Sequence, residues 1–435
     1  MQQNRESRER FAARVLHEPK DATTMRYDMR IRSLLLALWL GVLLFGGVVP
    51  PPGWCQYEVE QEQPFWLRGL LDLRVAQGGR AHAWTDRGPG KTRYGGRSTA
   101  QGPERVTRLA FSQLTIEGGV VLPWDIVAKA QLNWEPDSYR EGHPSLIEAY
   151  FRKEWGEWEK GWGLQTGVLS PPFSLEHTGP AWTPLYTLTP SALSTWLWEE
   201  FRVAGVEGEW WRTTPGGLRL SLLAGAGFGA DSFGWLLPER GWVLSDALSG
   251  INDELTLPRP GVESFVFDER DNRPAIYAQL TLSDLQQRGE VKFGYLDNLG
   301  DQNATGAWAT RFGTLGAILH PLARLDFLLQ YLIGETHTHV ATWDSSFTAF
   351  YALLSYHYHG HRFSARYDVF RVHDLDGGPR WSRDRGDAAT LAYLFEFGLH
   401  HRVGFEYIFA HSRHPSLSHS DPSDGGWQLS YRFRY

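Results

Sequence analysis

Cysteine is all but missing from this chain: Cys55 stands alone among 435 residues. That excludes an internal disulfide framework, zinc-ribbon spacing and c-type haem attachment, each of which needs paired cysteines. Long apolar runs are absent beyond residue 49, so nothing in the rest of the chain reaches the roughly 20 residues of a helical membrane span. A basic excess is lacking too, with 43 Lys and Arg against 50 Asp and Glu. Eight of those bases and five of those acids lie within residues 1–55, which leaves a chain starting after Cys55 at a formal charge of −10. Nucleic acid wants a basic surface, so no such partner is expected. Aromatic residues, by contrast, are plentiful: they make up 14% of the chain, with 20 tryptophans.

The one apolar run sits near the start. Arg26, Arg30 and Arg32 precede an almost wholly apolar stretch from Ser33 to Val49, and Pro50, Pro51, Pro52 and Gly53 break it. Basic, apolar, breaker is the order of a secretory signal, and the run is at the short limit for a span, the alternative being a single membrane anchor. Cleavage is expected near Cys55. Residues 1–55 are therefore read as an N-terminal extension and signal, with Met25 or Met29 as better starts than Met1, and residues 56–435 as the mature domain.

The last nine residues place Trp427, Leu429, Tyr431, Phe433 and Tyr435 on one parity and Gln428, Ser430, Arg432 and Arg434 on the other. Side chains alternate across a strand, so this is a ribbon with one apolar and one polar face. A soluble sandwich has such strands at its edges; a transmembrane barrel has them between lipid and lumen. Period-two segments recur at about 65–77, 107–117, 120–134, 145–153, 161–170, 200–211, 217–228, 274–283, 290–298, 307–319, 322–335, 347–358, 362–372, 388–399, 402–410 and 427–435. Every second connection is tight, starting with Gly118-Gly119 and ending with His400-His401, while the others are mostly longer. That alternation predicts an all-β fold: a transmembrane antiparallel up-and-down β-barrel of about 16 strands, with long extracellular loops and short periplasmic turns. A Greek-key sandwich has no reason to gather its tight turns at one end. The expected location is the outer membrane of a Gram-negative bacterium, with its lipids and lipopolysaccharide as surroundings.

Parity then assigns faces. A base at the lipid midplane costs a few kcal/mol, so charges point inward. Arg68, Asp72 and Arg74 on the first strand, Lys129 on the third, Lys292 on the ninth, Arg324 and Asp326 on the eleventh, Arg366 and Asp368 on the thirteenth, Glu396 on the fourteenth, and Arg432 and Arg434 on the last are the expected pore lining. Leu325, Phe327, Leu329, Tyr331 and Ile333 would meet lipid. The expected interior is polar and able to hold water.

Residues 167–206 form the most distinctive segment. A strand carrying Gly167 leads into Pro171-Pro172-Phe173-Ser174-Leu175-Glu176, and the chain re-enters at Glu199-Glu200 ahead of Arg202 and Gly205. This segment resembles the corresponding region of the phosphate-selective porin O and P family. The resemblance is close over these residues and architectural elsewhere. It implies a loop after the fifth strand folded into the lumen and a homotrimer, while the terminal strand ending on Tyr435 resembles the closing strand of bacterial outer-membrane barrels, whose final aromatic the barrel-assembly machinery reads. The family relies on bases concentrated along the pore, whereas this lumen mixes acids and bases, which points to a general channel rather than an anion filter. Glu176, His177, Glu199, Glu200 and Arg202 are the expected constriction, shaped by Trp182, Tyr186, Trp196 and Trp198. The expected function is passive diffusion of small hydrophilic solutes or ions, without chemistry, metal or cofactor. The alternatives are a non-conducting scaffold barrel plugged by its own loops at 78–106 and 229–273, and an outer-membrane hydrolase.

Two clusters suggest other chemistry. His337, His339, His357, His359, His361, His400 and His401 have ligand atoms, but they fall at strand ends and turns, where solvated rim residues are expected. The segment 411–426 contains Ser, His and Asp, yet a triad needs rigid strands and this is a Gly/Pro/Ser-rich loop. No catalytic residue is assigned.

Overall fold

The computed structural model describes residues 64–435 except 137–142, 257–262, 285, 287, 302, 303, 305, 339–342, 377–382 and 414–422. The signal segment, Cys55, His339 and part of 411–426 therefore lie outside the described residues. Sixteen antiparallel strands close into one barrel. In chain order they are β1 (Phe65–Gln77), β2 (Thr107–Leu122), β3 (Ile126–Trp134), β4 (Ser145–Gly156), β5 (Lys160–Leu169), β6 (Val203–Thr213), β7 (Leu218–Phe228) and β8 (Ala275–Asp284). The second half runs β9 (Gly289–Asp297), β10 (Trp308–Leu322), β11 (Leu325–Thr338), β12 (Ser345–Tyr358), β13 (His361–Asp374), β14 (Asp384–Phe397), β15 (His401–Arg413) and β16 (Ser423–Arg434). Each pairs with its sequence neighbours, and β16 returns to β1 with Leu70 opposite Arg434 and Gln77 opposite Trp427. Closure leaves no unpaired edge, which a sheet surrounded by lipid requires. The seam ends on a reciprocal pair of backbone bonds between Gly69 and Tyr435, both 3.0 Å.

The first tight turn differs from the one expected. β2 continues straight through Gly118 and Gly119, and the chain reverses instead at Pro123–Asp125. Trp124 and Asp125 take positive φ there, 64° and 57°. Gly119 serves a packing purpose: the Trp66 ring lies where its Cβ would be. Two small helices interrupt the long connections, α1 (Ala192–Glu200) between β5 and β6 and α2 (Leu236–Arg240) between β7 and β8.

Parity holds around the barrel. Leu109, Phe151, Ile333, Phe363, Leu391 and Phe405 on the outward positions are exposed, whereas Asp72, Gln131, Gln330, Arg366 and Glu406 on the inward ones are buried. The interior departs from the expected polar lumen. Phe312, Leu328, Leu332, Phe347, Leu353 and Phe370 also face inward and are fully buried. They are covered by the connections 170–202 and 229–256, which fold inside and supply Trp196, Phe201, Phe233 and Trp242 to one shared apolar cluster. An inward apolar wall is stable only when something dry lies against it, at about 25 cal/mol for each Å² removed from water.

Candidate functional site

Connection 170–202 runs around the inner wall from β5 to β15 and returns to β6. Pro171 and Pro172 end the ladder, since proline has no N–H to donate. Phe173 then sits edge-on to Tyr277 and Phe312, at ring separations of 6.3 and 5.4 Å, while Gln330 donates to its carbonyl at 2.6 Å. Further along, Glu406 accepts the backbone N–H of Leu188 and Thr189, at 2.7 and 3.1 Å. Gln428 bridges Glu406 and the Thr189 hydroxyl, both at 2.7 Å. Backbone groups of an irregular segment are thus satisfied by wall side chains, as burial requires of groups that have no ladder partner.

Arg366 is the centre of this anchoring. Its fully buried guanidinium meets Glu176 at 3.1 Å and Asp368 at 2.8 Å, and donates to the carbonyls of Thr189 and Pro190 at 2.6 and 2.9 Å. The two carboxylates then face the start of α1: Glu176 accepts from Ser191 N at 2.8 Å and Asp368 from Ala192 N at 3.1 Å. Ser191 caps the helix by accepting from Ser194 N at 3.1 Å. Acids at an N-terminus satisfy free donors and suit the helix dipole. At the other end Arg202 donates to the carbonyls of Phe201 and Trp198, at 2.8 and 3.2 Å, and lies 4.6 Å over the Trp198 ring.

All nine residues of α1 are buried. Trp196 is its core residue, edge-on to Phe201, Phe312, Phe347 and Trp242 at 4.7–5.6 Å. Glu199 pairs with Arg240 of α2. Glu200 accepts from Trp196 Nε1, from Gly234 N at 3.1 Å and from Leu236 N at 2.7 Å. Burial drives the Glu200 carboxyl up to about 8, although Arg240 and these donors oppose the shift. His177 stacks on Trp198 at 4.8 Å and shares a 2.9 Å bond with Ser174. Burial, with Arg202 nearby, keeps its imidazole well below the ordinary histidine range and hence neutral.

Connection 229–256 docks by charge. Asp246 pairs with Arg74 of β1 and, at 3.2 Å, with Arg93, and Asp384 of β14 receives Lys91 at 3.0 Å and Trp242 N at 2.9 Å. Gly241 ends α2 at φ 73°, a left-handed conformation where a Cβ would collide with the Asp384 carboxylate. Lys91, Arg93 and Asp246 were not among the expected residues, because nothing periodic marks a loop residue that is paired across the barrel, and Asp384 lies on β14 ahead of 388–399, where the period was read.

The expected constriction residues Glu176, His177, Glu199, Glu200 and Arg202 therefore gather on one inserted segment, all buried and bonded. Of the expected lining, Arg68, Asp72, Arg74, Lys129, Lys292, Asp326, Arg366, Asp368, Glu396, Arg432 and Arg434 occupy inward positions. Arg324 lies in the β10–β11 turn, its guanidinium 4.5 Å over the exposed Tyr358 ring. At the tight-turn end the inward charges alternate in sign and stay open to water: Lys292–Glu290 at 2.9 Å, Arg152–Glu209 at 3.0 Å and Arg434–Glu396 at 3.5 Å are each 22–29% exposed. Higher up, Lys129 joins Glu117 and Glu148, both at 2.9 Å, under the Trp182 ring at 5.4 Å.

No family model matches this chain, and no curated protein does. Solved structures do. The outer membrane channel DcaP of Acinetobacter baumannii is 11% identical with a TM-score of 0.52, over 85% of this chain and 97% of that one. A loop L8 deletion mutant of OmpT, an outer membrane protein of Vibrio cholerae, is 10% identical with a TM-score of 0.51, over 85% and 99%. An anion-selective porin from Comamonas acidovorans is 12% identical with a TM-score of 0.50, again over 85% and 99%. At such identities the likeness is one of fold. The chain is an outer-membrane β-barrel with porin-like architecture, at home in the Gram-negative outer membrane. The narrower resemblance to the phosphate-selective porins finds no counterpart among these structures.

Proposed function

We propose that the chain is a porin-class channel of low conductance, passing small hydrophilic solutes or ions by passive diffusion and performing no chemistry. What supports this most is the alternating ring of inward acids and bases at the tight-turn end, 22–29% exposed inside a closed barrel. Paired charges of both signs favour hydrated solutes without selecting one ion strongly. Glu176, His177, Glu199, Glu200 and Arg202 hold the inserted segment that narrows the path. Outer-membrane lipid and lipopolysaccharide surround the outward face, the assembly machinery engages the strand ending on Tyr435, and the working form is a homotrimer.

A second reading, a non-conducting scaffold barrel, is favoured by the complete burial of α1 within the apolar cluster. Single-channel recording in planar bilayers under asymmetric KCl separates the two. Discrete small openings with a weak ion preference bear out the channel. A silent bilayer, from protein whose heat-modifiable migration shows it folded, overturns it.

A further inference from the structure

Four inward side chains lie directly opposite one another across the closure seam: Glu396 on β14, Arg402 on β15, Arg432 on β16 and Asp72 on β1. The two arginines in the middle are 4% and 1% exposed. Like charges facing each other across neighbouring strands, with Cβ atoms about 5 Å apart, repel, and arginine cannot relieve this by losing its proton.

The surrounding carboxylates do not compensate. Arg432 donates its Nε to Asp72 at 2.5 Å, but its Nη1 and Nη2 are enclosed without a hydrogen bond, and Asp246 lies 3.9 Å from Nη2. Arg402 has no hydrogen bond and no carboxylate within 4 Å among the described residues, and its Nη2 is likewise enclosed. Glu396 is taken by Arg434 at 3.5 Å. Asp72 also serves Arg74 and Ser430, both at 2.7 Å. Glu406 is occupied by Leu188, Thr189 and Gln428. Positive charge is left over in a place closed to bulk water, where an uncompensated ion is costly.

We propose that Arg402 and Arg432 together bind one small oxyanion of the phosphate or sulfate class as a resident counter-ion of the seam. Guanidinium groups with unpartnered terminal N–H donors, carried at paired positions on neighbouring strands, suit such an ion, since the planar fork suits tetrahedral and carboxylate oxygens. The site is independent of whether the barrel conducts.

The test is thermal unfolding of the full-length chain in detergent, in sodium phosphate against sodium chloride at matched ionic strength, with calorimetric titration of phosphate. The expected result is one phosphate per chain and a Tm that climbs with the logarithm of phosphate concentration. Arg402→Met should lose that climb, and in phosphate-free buffer should unfold no earlier than the parent. Should Arg402→Met fail to fold, Arg402→Lys keeps the charge without the fork and should weaken phosphate binding at least about tenfold, the loss of one charged hydrogen bond. Equal Tm in phosphate and chloride for the parent chain, meaning that water alone satisfies the donors, overturns the site. So does a phosphate response that survives both Arg402→Met and Arg432→Gln.

Discussion

Glu200 shows how a single buried carboxyl couples the inserted segments to pH. Burial lifts its carboxyl in the folded chain to about 8, above the ordinary glutamate value of 4.5. Between those two values the folded chain holds a proton that the unfolded chain has released, so this residue's contribution to stability falls as pH rises through that window. The expected outcome is a parent barrel whose Tm declines more from pH 5 to pH 9 than that of Glu200→Gln. Tryptophan fluorescence of both proteins at several pH values measures the difference. Parallel pH profiles would mean that the three donors, from Trp196, Gly234 and Leu236, hold the group ionised throughout. At this scale the sequence pointed to the correct segment: the Glu199-Glu200 pair and Arg202 stood out as charges beside tryptophans. It did not point to Arg240, whose pairing with Glu199 joins residues 41 positions apart.

For the elements, the strands and the loops were legible to different degrees, and for a physical reason. A strand between lipid and lumen writes its environment into every second residue, so all sixteen could be read in order, while the β2–β3 turn and the β10–β11 turn, expected at His320-Pro321 and found at Ala323-Arg324, were misplaced. An inserted loop has no such period; its burial depends on wall partners far away in sequence. One signal was nonetheless present. β11 reads Leu325, Phe327, Leu328, Leu329, Tyr331, Leu332 and Ile333, apolar on both parities, and a strand apolar on both faces is one covered on both faces. Leu328 and Leu332 thus announced dry contents for the barrel. Arg366 is where those contents are most exposed to attack by mutation, because removing it leaves Glu176 and Asp368 as buried acids without their base. Arg366→Met should cost about 3–5 kcal/mol, read as an earlier loss of heat-modifiable migration. It should also raise single-channel conductance by freeing the segment before α1. A variant as stable as the parent would show that Glu406, Gln330 and the apolar cluster suffice to hold the loop.

In the whole molecule, strand number and connection length agree on one orientation across the membrane. An even number of strands puts both ends of the barrel on the side of the tight turns, and the closing strand runs toward that side, leaving the long connections outside the cell. The near-absence of cysteine makes this directly testable. Gln101 lies in the β1–β2 connection and Leu399, 85% exposed, in the β14–β15 turn. Gln101→Cys should react with a membrane-impermeant maleimide on intact cells, whereas Leu399→Cys should react only after the outer membrane is permeabilised. The unsubstituted chain serves as its own control, because the cleavage proposed near Cys55 would leave nothing to label. Labelling of the parent would show that Cys55 is retained, and labelling of Leu399→Cys in preference to Gln101→Cys on intact cells would invert the barrel and place the ring of paired charges at the outer mouth.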